Sequence, residues 1–152
     1  MSRVVVNEIQ AKVGNDISFN DAAKIDTLKG KTTAGSISVQ GEGSNTTNLQ
    51  QGLAKAWANY DCSGTASIRD NLNVTNLTDN GTGYITINIT NSMSNDDYVR
   101  LGTAGENANT GGNRVVGLRL PSTGSFNMIS QNTGGSSSDT QDTCVAIFGD
   151  LA

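Results

Sequence analysis

Histidine is absent from this 152-residue chain. That excludes Ser-His-Asp and Cys-His nucleophilic sites, and any metal held by imidazole. The two cysteines, Cys62 and Cys144, are too few for a zinc site built on four thiolates. Proline occurs once, at Pro121, where it ends a strand and its missing N–H does least harm. No apolar run approaches the ~20 residues that cross a bilayer as a helix. The opening, Met1-Ser2-Arg3-Val4-Val5-Val6-Asn7-Glu8, lacks the long apolar core of a secretory signal. Neither a signal peptide nor membrane insertion is expected. Basic residues are short as well, and the net charge is −4. An acidic chain, with a pI of about 4.6, is ill suited to neutralising phosphates, so no nucleic-acid partner is expected.

What is present suits short strands. Glycine reaches 18 residues, above the usual share of ~7%, and Asn, Thr and Ser are abundant. Such a composition favours many turns and disfavours long helices. Apolar residues make up 35% of the chain, enough for one sandwich core. The plainest signal is Tyr84-Ile85-Thr86-Ile87-Asn88-Ile89-Thr90, which alternates isoleucine with polar residues. Side chains alternate across a strand, so this stretch has one apolar and one wet face. Asp79-Asn80-Gly81-Thr82-Gly83 just before it is turn chemistry and predicts a hairpin.

Strands are read at 53–59, 65–69, 72–77, 84–90, 97–101, 114–120, 125–130 and 143–148. Turn-rich segments separate them, and 102–113 is a longer loop. Eight short strands at these intervals predict an all-β fold, an antiparallel β-sandwich of jelly-roll-like type. The expected core is Leu53, Trp57, Ile68, Leu72, Val74, Ile85, Ile87, Ile89, Val99, Leu101, Val116, Leu118, Phe126, Ile129, Val145 and Ile147. No internal repeat is visible.

Residues 1–40 differ in kind. Their apolar side chains come in twos and threes, as at Val4, Val5 and Val6, then Ile9, Ile17 and Phe19, Ile25 and Leu28, Ile37 and Val39. Such a segment cannot bury a core that offsets its chain entropy. Asn20 to Leu28 offers one short helix, with Asn20 as N-cap and Gly30 as stop. Composition allows a disordered leader or an arm that orders against another surface, and the strand-like Val4-Val5-Val6 favours the arm. Residues 41–51 have linker composition. The charge supports the division: Arg3, Lys12, Lys24, Lys29 and Lys31 balance Glu8, Asp16, Asp21, Asp26 and Glu42, so the whole net charge falls after residue 50. The chain therefore reads as an extended arm at 1–40, a polar linker at 41–51 and a sandwich at 52–152.

Few residues suggest chemistry. A carboxylate pair for glycoside hydrolysis is the one enzymatic arrangement to test, with Asp70, Asp79, Asp96, Asp97 and Asp142 as candidates. All lie in or beside turns, where Asp caps backbone groups, and that reading is favoured. Calcium could use Asp79 and Asn80, or Asp139 with Asp142, but the alternating oxygens and closing Glu of the usual loop are missing. The glycines from Gly102 to Gly112 are not a phosphate loop, because no Gly-Lys-Ser/Thr follows. No cofactor, metal or catalytic residue is expected. Asn-X-Ser/Thr triplets at Asn45, Asn73, Asn76, Asn80 and Asn88 are ordinary in so Asn- and Thr-rich a chain. Aromatic residues are few, so each can be placed: Trp57 is read as core, while Tyr60, Tyr84 and Tyr98 are candidate glycan contacts together with Asn107 and Asn109.

One ordered series of motifs carries a resemblance. Gly52-Leu53-Ala54-Lys55-Ala56-Trp57, the turn Ser63-Gly64-Thr65, Ile68-Arg69, Asn73-Val74-Thr75, and Leu77-Thr78-Asp79-Asn80-Gly81-Thr82-Gly83 lead into the alternating strand. This series, over roughly 52–101, resembles a module of tailed-phage structural proteins and is similar to the knobs of tail fibres and tailspikes. The resemblance implies a β-rich virion part, usually homotrimeric, without catalytic residues. It implies manufacture in a bacterial cytoplasm, where free cysteines are the expectation. Two roles fit: a capsid decoration (cement) protein on the outer surface of the virion, or a short tail fibre or spike knob that binds a host surface glycan. At 152 residues from Met1 the chain reads as short for a fibre with a docking domain and shaft, which favours decoration. The expected partners are other copies of the chain, the major capsid protein and a host glycan. Val4, Val6, Ile9, Ile17, Phe19, Ile25 and Leu28 are the expected capsid or trimer contacts.

Overall fold

The structure is a computed structural model that describes residues 25–30, 37–40, 44–105 and 114–152. The first elements among the described residues are β1 (Ser38–Gln40), β2 (Thr46–Asn48) and the single turn α1 (Leu49–Gly52). Eight further strands follow: β3 (Ala54–Asp61), β4 (Ser67–Leu72), β5 (Val74–Asp79), β6 (Tyr84–Ile89), β7 (Val99–Gly105), β8 (Arg114–Arg119), β9 (Ser125–Asn132) and β10 (Asp142–Phe148). They form two four-stranded antiparallel sheets, ordered β4-β3-β10-β7 and β5-β6-β9-β8. The all-β antiparallel sandwich expected from strand spacing is what forms, with each of the eight expected strands present.

The core lies between the sheets. The first sheet contributes Ala56, Ala58, Tyr60, Val145 and Ile147, and the second contributes Val74, Ile85, Ile87, Ile89, Phe126 and Met128. Met93 and Tyr98, from the segment between β6 and β7, close one end. Tyr98 meets Phe126 edge-on, with ring centroids 6.3 Å apart, an arrangement that aromatic rings favour. The opposite end is sealed by Cys62, Thr140 and Thr143, whose polar atoms bond to one another, with the two threonine hydroxyls 2.6 Å apart.

Two chain reversals set the geometry. The β5–β6 hairpin is the expected one. Asp79 Oδ1 accepts from the Gly81 N–H at 2.9 Å, and Gly81 and Gly83 take φ of 120° and 65°. The second reversal is a one-residue corner. Asn73, at φ 57°, carries the chain from β4 in one sheet to β5 in the other. Its amide donates to the carbonyls of Lys55 and Asn91 at 3.0 and 3.1 Å, and its Oδ1 accepts from the Asn91 N–H at 2.7 Å. Asn tolerates this left-handed conformation, and its side chain fastens the corner to the neighbouring segments.

Several expectations change. The helix expected over 20–28 does not form in its described part, 25–28, and the short helix is α1 instead. Part of the expected linker is structured: β2 pairs with β1, and α1 follows directly, capped by Asn48 Oδ1 on the Gln51 N–H at 3.0 Å. Backbone pairing needs no apolar side chains, which explains how so polar a stretch can form strands. The core list is partly inverted. Leu53, Leu72, Val99 and Leu101 are exposed, and Trp57 and Ile129 are half-buried. In β3 the buried apolar set is Ala56, Ala58 and Tyr60, so Trp57 points away from the core, on the same side as Lys55. In β7 the inward positions are Arg100, Gly102 and Ala104. Gly102 sits where a Cβ would lie 3.4 Å from Val116 Cγ1 and 3.5 Å from Leu118 Cδ2, so β8 fills the space that Leu101 was expected to occupy.

Candidate functional site

The outer face of the β4-β3-β10-β7 sheet presents apolar side chains in register. Leu72 of β4 pairs with Trp57 of β3, Trp57 with Ala146 of β10, and Ala146 with Leu101 of β7. In the adjoining row Phe148 of β10 pairs with Val99 of β7. Leu72, Leu101 and Val99 keep 48%, 55% and 57% of their surface in water. Strands lie ~4.8 Å apart, so the row from Leu72 to Leu101 spans roughly 15 Å. A hollow of about 160 Å³ beside it is lined by Leu101, Gly102, Thr103, Cys144, Val145 and Ala146.

Charge collects at one rim of this face. Arg69 reaches Asp61 at 3.0 Å and Asp142 at 3.4 Å, and Asn59 Nδ2 donates to Asp142 Oδ1 at 2.8 Å. The Ser63 N–H and hydroxyl, followed by Arg69, hold the Asp61 carboxyl below its usual range. Next to this rim lies Cys144, an exposed free thiol whose sulfur accepts from Asn59 Nδ2 at 3.1 Å. Cys62 is also free, but buried.

The outer face of the second sheet is chemically opposite. Asn76 and Thr78 of β5, Tyr84, Thr86 and Asn88 of β6 and Asn127 of β9 form a polar ladder. Asn88 Nδ2 donates to Asn76 Oδ1 at 2.6 Å and to Thr78 Oγ1 at 3.0 Å, Asn80 Nδ2 donates to Thr86 Oγ1 at 2.8 Å, and Asn127 Nδ2 donates to the Tyr84 hydroxyl. A third feature is a groove of about 250 Å³ lined by Leu28, Ile37, Leu49, Gln50 and Leu53. Below it the Lys55 ammonium is tied to the carbonyls of Gln50 and Leu53, and burial lowers its pKa against the opposing pull of Asp150.

The residues singled out from the sequence separate into groups. Tyr84 lies on the polar ladder, where a glycan could reach it. Tyr60 and Tyr98 do not qualify, being 1% and 5% exposed. The Tyr60 hydroxyl donates to Met128 Sδ at 2.9 Å, and that of Tyr98 to the Ser122 and Ser125 carbonyls at 2.9 and 3.1 Å. Each ring fills core, and its one polar atom is satisfied internally. Burial pushes both phenols above their ordinary pKa. Asn107 and Asn109, and Val4, Val6, Ile9, Ile17 and Phe19, lie outside the described residues. Ile25 and Leu28 are 60% and 57% exposed. The turn role expected of the carboxylates is seen at Asp79, which accepts from the Gly81 N–H; Asp70 lies within β4 and accepts from the Asn71 N–H, Asp139 accepts from the Gly83 N–H, and Asp142 opens β10 and pairs with Arg69. Among the described residues, no three Cys, Asp or Glu side chains gather as a metal site would need. The apolar outer face was missed because four of its members, Trp57, Leu72, Val99 and Leu101, are expected in the core. No family model, curated protein or solved structure matches the chain.

Proposed function

We propose that this chain is a non-enzymatic structural protein of a tailed-phage virion. In this reading it is a homotrimeric capsid decoration, or cement, protein that sits on the outer surface, stabilises the shell and contributes to host attachment. The observation that carries the reading is the division of labour along the chain. Every residue of the described core lies between Ala56 and Ile147, so the sandwich draws no core residue from the described residues before it. Ile25, Leu28 and Val39 in that segment remain exposed. Apolar groups that serve no core are suited to contact with a second surface, and the major capsid protein offers many equivalent copies of one. A trimer engages three at once, and weak contacts then add through effective concentration. The acidic sandwich faces solvent and keeps decorated particles apart.

The experiment is reconstitution on shells lacking this protein. Full-length chain should co-sediment with them and raise the temperature at which they fall apart. A chain lacking residues 1–36, which retains β1 and its pairing with β2, should fold and stay in the supernatant. Shells equally stable with and without the protein, and label confined to tail tips, would reject decoration. The second reading would then stand: a short tail fibre or tailspike knob that binds a host surface glycan. The polar ladder around Asn76, Thr78 and Tyr84 favours that reading, since amides, hydroxyls and one aromatic ring match the groups of a sugar.

A further inference from the structure

We propose that the outer face of the β4-β3-β10-β7 sheet is the surface on which copies of this chain meet. The inference deepens the homotrimer reading above and rests on it. It assigns subunit contact to Leu72, Trp57, Ala146, Leu101, Val99 and Phe148, none of which the sequence marked as an interface.

The face differs from scattered surface hydrophobes because its members are adjacent by register. The row crosses all four strands without a charged residue, and Phe148 and Val99 widen it. Its exposed apolar surface is on the order of 400 Å², the size of the largest apolar patches on monomers, which are often functional. A standard interface takes ~800 Å² from each partner, a little over half of it non-polar. One such face therefore supplies nearly all the apolar area that one subunit of a stable assembly contributes.

The charges select the occupant. Asp61, Arg69 and Asp142 are confined to one rim, where Arg69 offsets one of the two carboxylates, so the apolar row of a like face can approach without meeting a charge. An anionic membrane would find one arginine already paired with two carboxylates. A glycan would find leucine and valine where it needs hydrogen-bonding groups, and those stand on the opposite sheet. Trp57 lies mid-face between Leu72 and Ala146, the position and residue type of an interface anchor. A second copy of this chain fits what is present.

The test uses the full chain. Sedimentation velocity over a micromolar concentration series should show an oligomer for the native protein. Leu101→Asp, on an exposed position of an edge strand, should raise the dissociation constant roughly 30-fold or more while preserving the β-sheet spectrum. Leu72→Asp, on the other edge strand, is the second variant should the first misfold. Val115→Asp is the matched control. It makes the same kind of change at a 54% exposed valine on the opposite sheet and should leave assembly unchanged. Because Cys62 is buried, a thiol reagent under native conditions reads Cys144 alone, and its rate should fall as the oligomer forms. A folded Leu101→Asp or Leu72→Asp protein that assembles like the native chain overturns this face and leaves the trimer intact. A native chain that stays monomeric throughout overturns face and trimer together, while shell binding is read separately in the reconstitution.

Discussion

Gly83 should be the least replaceable glycine of the sandwich, and a matched partner shows why. It adopts φ 65° in the turn that opens β6. A Cβ built there would stand 2.5 Å from the Ser130 carbonyl oxygen and 2.8 and 2.9 Å from the backbone N and O of Ser138. These are backbone atoms held by their own bonds: the Ser130 N–H donates to the Gly83 carbonyl at 2.8 Å, and the Gly83 N–H donates to Asp139 Oδ1 at 2.6 Å. Gly135 has a similar φ of 82° but meets nothing within 4 Å. Alanine at either position pays the left-handed penalty, ~1–2 kcal/mol. Only at position 83 does it also force β6 away from β9 and the 136–139 segment, adding ~1–3 kcal/mol of overpacking and up to ~1 kcal/mol for a weakened hydrogen bond. Gly83→Ala should therefore lose ~1–4 kcal/mol more than Gly135→Ala. With a urea slope of ~1–3 kcal/mol per molar, the two midpoints should differ by about 1 M. Urea titration followed by circular dichroism reads this directly. Coincident midpoints would refute the idea that close approach, and not φ alone, requires glycine at 83.

Other perturbations give separate readings. Phe126→Ala, in the core, should cost ~3–5 kcal/mol; Trp57→Ala, on the outer face, should leave the monomer folded at a clearly smaller cost in a thermal melt, and an equal loss would place Trp57 in the core after all. Tyr60 is held neutral in the folded state and ionises near pH 10 when unfolded, so its stabilisation is complete below ~10 and is lost as pH rises above it. Tyr60→Phe keeps the ring and should flatten the alkaline fall in stability; an unchanged fall would mean the phenol is not buried. Asp61 has the opposite sign, because its depressed pKa favours folding above ~4 and the benefit disappears as pH falls through the folded value. Asp61→Asn should thus shallow the acid limb of a pH–stability curve, and a limb identical to the native one would remove the Ser63 and Arg69 contacts as its cause. At the corner, Asn73→Gly keeps the conformation and loses the side-chain bonds, while Asn73→Ala loses both; denaturation should rank them Asn, Gly, Ala, with Ala lower than native by roughly 2–4 kcal/mol.

The existence of the strands was legible because hydrophobic alternation and turn chemistry agree wherever a strand has one wet face. β6 is the clear case, with Ile85, Ile87 and Ile89 buried and polar residues between them. The Asp79–Gly83 turn was legible for the same reason, since few residues other than Asn and Gly accept its dihedrals. The Asn73 corner was not. A single left-handed residue between two strands leaves no turn-rich segment, so Leu72 was read as the start of the next strand. It is the last residue of β4, and the corner sends its neighbour Val74 to the core while leaving Leu72 on the outer face. The pairing of β1 with β2 was hidden for a different reason: backbone hydrogen bonds hold it, and they leave little trace in composition.

The outer face was illegible because the largest apolar side chains of β3 and β7, Trp57, Val99 and Leu101, stand on the outward parity. In β3 the alternation favours the parity of Ala54, Ala56, Ala58 and Tyr60 over that of Lys55, Trp57, Asn59 and Asp61, but a core chosen by size picks Trp57 over the small alanines. The sheet opposite supplies the bulk. Ile85, Ile87, Phe126 and Met128 fill the space between the layers, so β3 is small inward at Ala56 and Ala58, 2% and 1% exposed, and carries one large inward residue, Tyr60, nearer the Cys62 end. Close packing at interior density allows no second layer of large side chains there. Trp57 is thus excluded from the core by volume, as Leu101 is by the approach of β8 to Gly102. A strand with small residues inward and large apolar ones outward has apolar surface in excess of what its own sandwich can bury. That excess is the reason to look outside the subunit, and its register across four strands is the reason to look for another copy of the same sheet.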